Sequence, residues 1–125
     1  MNKDITTRAD IEQLIAAFYV KVRTDAILGP IFEAAITNWE EHLPTMYDFW
    51  ETLLFAKRNY KGNPLLKHAV LHKKHHLTQD HFKTWVKLWE QTLDHFFAGP
   101  ICEHAKHKAK HISSVMLSHF APKTS

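Results

Sequence analysis

Apolar side chains recur along this chain at helical spacing over several turns at a time, and nowhere do four or more residues alternate as a strand would. That periodicity predicts an all-helical fold. A first stripe over residues 9–23 comprises Ile11, Leu14, Ile15, Phe18, Tyr19 and Val22, and Asp25 followed by Gly29-Pro30 is expected to end it. A second runs through Trp39, Leu43, Met46, Trp50, Leu53 and Leu54. Its start signals are Thr37 or Asn38, each with a glutamate (Glu40 or Glu41) three residues on, and Pro44 predicts a kink or a later start. Asn63-Pro64 should open a short helix through His68 to about Leu71. Thr78 caps a third stripe, Phe82, Trp85, Val86, Trp89, Leu93, Phe96 and Phe97. Gly99-Pro100 then separates it from a fourth, Ala105, Ala109, Ile112, Met116, His119 and Phe120.

Composition narrows the choice among helical folds. A chain of 125 residues suits a single domain, here 1–125 with a core at about 9–120. With 3 Gly there is no glycine-rich phosphate cradle, and Cys102 alone excludes a disulfide scaffold. The polar start MNKDITTRADIEQ and the lack of any apolar run of membrane-spanning length predict a cytoplasmic protein without a membrane partner. The basic stretch at residues 57–74 carries Lys57, Arg58, Lys61, Lys67, Lys73 and Lys74 with no acid among them.

A few polar tips ride on the apolar stripes: Tyr19 beside Phe18, His42 one turn before Met46, and Trp85 one turn after Phe82. His42, Met46, Phe49 and Leu53 follow one another at steps of four, three and four, which places an imidazole on a face otherwise apolar. Taken singly, each of these residues also has an ordinary explanation as a hydrogen-bonded core group.

The segments FYVKVRTDAILGPIF (residues 18–32), WEEHLPTMYDFW (39–50), YKGNPLLKH (60–68) and HFKTWVKLW (81–89), in this order, resemble the group III truncated haemoglobins over residues 9–120. The resemblance implies a truncated globin, a two-over-two helical sandwich around one b-type haem (iron protoporphyrin IX) held by a single histidine. Carried over by position, His68, which closes YKGNPLLKH, is the iron ligand, with His72 one turn on as its rival. Tyr19, His42 and Trp85 match the residues that face the bound ligand, and Phe32 the aromatic that packs on the haem. Met46, Phe49 and Leu53 are placed on the apolar wall, and Leu65 and Leu71 near the histidine's face, with a cation or Tyr60 from the basic stretch on the propionates. A phenol, an imidazole and an indole converging on oxygen predict slow ligand release. Oxygen, nitric oxide and carbon monoxide are the implied ligands, bound at a five-coordinate iron in a monomer, and His42 is a candidate gate.

The same resemblance admits an enzyme that turns over nitric oxide or peroxide, drawing electrons from a separate reductase, since no flavin or nicotinamide motif is present. A remoter alternative is a divalent-metal protein, because His104, His107 and His111 share a helical face and His72, His75 and His76 cluster, among 11 histidines in all. A pI of about 9.0 offers nucleic acid no recognisable reading module, and Cys102 has no oxyanion-hole signature beside it.

Overall fold

The computed structural model describes residues 2–55 and 78–120, with side chains up to 115. The described residues form the helices α1 (Arg8–Thr24), α2 (Leu28–Ala35), α3 (Trp39–Phe55), α4 (Gln79–Phe96) and α5 (Pro100–Phe120). No strand occurs among them, only an isolated bridge between Lys3 and Phe97. The expected short helix at residues 63–71 lies outside the described residues.

Local chemistry explains most boundaries. Thr7 caps α1 by accepting from the Asp10 N–H, and Asp10 reaches back to the cap in a reciprocal capping box. Asn38 accepts from the Glu41 N–H at 3.2 Å at the start of α3. Thr78 caps α4 as expected, but its capping-box partner is a histidine: His81 Nδ1 accepts from the Thr78 N–H at 2.9 Å. Asp4 accepts from the N–H groups of Ile101 and Cys102 at 2.9 and 2.8 Å, tying the N-terminal segment to the first turn of α5.

Two expectations change. Gly29-Pro30 does not merely end the first helix; it lies within α2, a helix the periodicity did not single out. Pro30 sits in the first turn, where a backbone N–H has no helical acceptor to lose. Gly29 lets α2 approach α1 closely, since a Cβ there would stand 2.6 Å from the Arg23 carbonyl oxygen. Likewise Pro44 does not delay the start of α3, which begins at Trp39 and runs through it.

Helix α1 packs on α2, α3 and α4, while α4 packs along α5 and α3 touches α5. Two helix pairs, α1 with α3 and α4 with α5, thus face each other. Their shared core is aromatic. Trp89 is fully buried, stacks on Trp50 at 4.4 Å, and meets Phe18 edge-on at 4.9 Å. Its indole N–H donates to the Ala105 carbonyl at 3.1 Å, fixing α4 against α5 with the polar atom satisfied. This cluster holds the inward-facing turns of α1 and α3 at a set separation, and those turns carry the candidate site.

Candidate functional site

Tyr19 follows Phe18 on α1, so one turn of helix supplies both a core aromatic and a polar tip. The tip is met from α3: His42 Nε2 lies 3.1 Å from the Tyr19 hydroxyl, across 23 residues of sequence. Burial pushes the Tyr19 phenol well above its ordinary pKa, so it remains a neutral O–H able both to donate and to accept. The rings of Tyr19 and His42 meet edge to face at 5.3 Å.

Phe32, from α2, is buried with its ring 6.4 Å from that of Tyr19. Met46, one turn beyond His42, is buried, and Phe49 is half-buried with its edge against Trp50 at 5.4 Å. Leu53 is half-buried against the same core. Trp85, on α4, is half-buried: it meets Phe18 edge-on at 5.8 Å and lies parallel to Trp89 at 6.5 Å. Phe18 in turn contacts Tyr19 at 5.2 Å, which links Trp85 to the pair.

Trp39 was absent from the sequence-derived site. Its ring lies 5.3 Å from Tyr19 and 5.6 Å from His42, and the Arg23 guanidinium covers it at 4.4 Å. Its indole nitrogen is buried without an acceptor among the described residues. The available signal was spacing: Trp39 precedes His42 by three residues, and Arg23 follows Tyr19 by four.

His68, its rival His72, Leu65, Leu71 and the basic stretch with Tyr60 lie outside the described residues. Of the histidines read as a metal cluster, His72, His75 and His76 lie outside the described residues, and among the described residues no group of three or more His, Cys, Asp or Glu could hold a metal ion. His104, His107 and His111 are exposed on α5, without a converging fourth ligand. Among the described residues no helix is long and apolar enough to cross a membrane.

A neutral phenol and an imidazole bonded to each other, beside the Phe32 ring and on helices whose core faces also carry Phe18, Met46 and Phe49, form a small polar spot among apolar side chains. That arrangement fits a flat, apolar group carrying a small polar ligand, as a haem does. The family model for bacterial-like globins matches residues 3–118. The chain belongs to that family and is a haem-binding globin. Within it, the chain is similar to the group 3 truncated hemoglobin ctb of Campylobacter jejuni subsp. jejuni serotype O:2, with 37% identity over 98 residues, 75% of this chain and 75% of that protein. The crystal structure of a group III truncated hemoglobin from Campylobacter jejuni matches with a TM-score of 0.89 at 30% identity, covering 100% of this chain and 99% of that one. This protein is a group III truncated haemoglobin, with the all-helical truncated globin fold.

Proposed function

We propose that the chain binds a b-type haem through His68 and takes up oxygen, nitric oxide or carbon monoxide beside Tyr19 and His42, releasing them slowly. The haem supplies the ferrous iron to which such a ligand attaches. The protein supplies the surroundings. Phe32, Met46, Phe49 and Leu71 form the apolar contacts of the cofactor. Tyr19, His42 and Trp85 are the donors of the ligand side.

The observation that carries this reading is the 3.1 Å contact between Tyr19 Oη and His42 Nε2. The phenol has one hydrogen to give. When His42 donates from Nε2 to the phenol oxygen, that hydrogen is left for a ligand, and the two donors reinforce each other in series. In the other tautomer the imidazole accepts the hydrogen itself. His42 therefore governs what Tyr19 can offer, and the buried setting keeps water from competing for the same hydrogen.

The deciding experiment is the visible spectrum of the purified protein beside those of His68→Ala and His72→Ala. Haem absorption with a five-coordinate ferrous form, lost in His68→Ala and kept in His72→Ala, is the expected result. Loss only in His72→Ala would move the iron ligand to His72. A protein that stays colourless after haem addition would refute the reading.

A further inference from the structure

The Tyr19–His42 pair does not stand free of the rest of the molecule. Trp39 touches both of its members with the edge-to-face geometry that fixes ring orientation: 5.3 Å and 65° to Tyr19, 5.6 Å and 90° to His42. Its N–H finds no acceptor among the described residues. What covers the ring is the guanidinium of Arg23, at 4.4 Å from its centroid. Arg23 is aimed by an ion pair from its Nε to Glu33 on α2. Three helices thus feed one stack, carboxylate, guanidinium, indole, then the imidazole and phenol. Arg23 sits one turn beyond Tyr19 on α1, and Trp39 one turn before His42 on α3, so each helix contributes both a member of the pair and a member of the stack.

We infer that Trp39, clamped by Arg23 and Glu33, is a positioning residue that sets the orientation of Tyr19 and His42 toward the haem ligand. This rests on the reading of that pair as ligand-facing. The physical argument is one of constraint. An imidazole on a helix has a choice of rotamers, and His42 is only half-buried, so its ring has room to turn away from Tyr19 toward solvent. The Trp39 edge removes the space into which the ring would otherwise turn. Arg23 and Glu33 are themselves exposed, so an alteration at the surface reaches the ligand side through one indole.

The test uses carbon monoxide as probe on the haem-loaded protein, reading the C–O stretching band by infrared spectroscopy. That band falls in wavenumber when donors point at the ligand, and it splits when donors adopt several orientations. In Trp39→Leu, Arg23→Gln and Glu33→Gln the band is expected to split or broaden, with a new component at higher wavenumber. Trp39→Phe, which keeps an aromatic edge, should restore most of the original band. Arg23→Gln and Glu33→Gln alter exposed side chains, so they keep the test decisive if Trp39→Leu fails to fold. A single band at the wild-type position in Arg23→Gln, Glu33→Gln and any folded Trp39 variant, while Tyr19→Phe shifts it, would overturn the inference alone. A band unmoved in Tyr19→Phe and His42→Leu as well would overturn the reading of the pair, and the inference with it.

Discussion

Replacing Tyr19 by Phe removes one oxygen atom and leaves the aromatic packing against Phe18 and Phe32 in place. If the phenol donates to the bound ligand, the loss is that of a hydrogen bond to a group of high negative charge, roughly 1.5 to 3 kcal/mol. At about 1.4 kcal/mol per factor of ten, the oxygen dissociation rate should rise about tenfold to a hundredfold. His42→Leu should also speed release, because it removes the imidazole N–H that polarises and orients the phenol. The two effects cannot be independent, since the groups share a contact at 3.1 Å. The double variant should therefore release oxygen more slowly than the product of the single effects requires, by a coupling on the order of 0.5 to 3 kcal/mol. Stopped-flow displacement of oxygen by excess carbon monoxide measures all four rates. An unchanged rate in Tyr19→Phe, or single effects that multiply without coupling, would refute the serial arrangement.

Three further outcomes follow from the frame around the site. Burial pushes the Asp10 carboxyl upward, but the Lys3 ammonium and the N–H groups of Thr6 and Thr7 outweigh it and hold the group below its ordinary range. Such a group stabilises the fold above its unfolded pKa of about 3.9 and ceases to do so as pH falls toward the folded value. Urea unfolding should show wild type more stable than Asp10→Ala by about 1 to 3 kcal/mol at neutral pH, with the gap narrowing below about pH 4; a gap independent of pH would rule the ionic account out. Gly29→Ala should lower stability by about 1 to 3 kcal/mol, because a Cβ at 2.6 Å from the Arg23 carbonyl forces backbone apart, and an unchanged melting temperature would contradict it. Trp89→Phe gives up the bond to Ala105 at 3.1 Å and leaves a cavity in the aromatic core, a cost of about 2 kcal/mol readable by denaturant midpoint.

How far the fold could be read in advance depended on whether the signal was local. The stripes of α1, α3, α4 and α5, and the Thr78 cap, follow from spacing and side-chain chemistry within a turn or two. Helix α2 did not, because Gly29-Pro30 looks like a stop wherever only its neighbours in sequence are considered. The reason for Gly29 is a carbonyl on another helix, and no local pattern encodes that distance. The candidate site divides in the same way. Tyr19, Phe32, His42 and Trp85 came from a resemblance in sequence blocks, whereas the residues that brace them came from packing. A tryptophan opening an apolar stripe looks like core hydrocarbon, and an exposed arginine near a helix end looks like a solvated charge. Only the docking of α1 on α3 lays the Arg23 cation across the Trp39 face and sets the indole edge against Tyr19 and His42. A substitution at Arg23 that looks neutral by sequence is therefore expected to alter ligand binding, because its effect reaches the phenol and imidazole through a contact that exists only once the helices are packed.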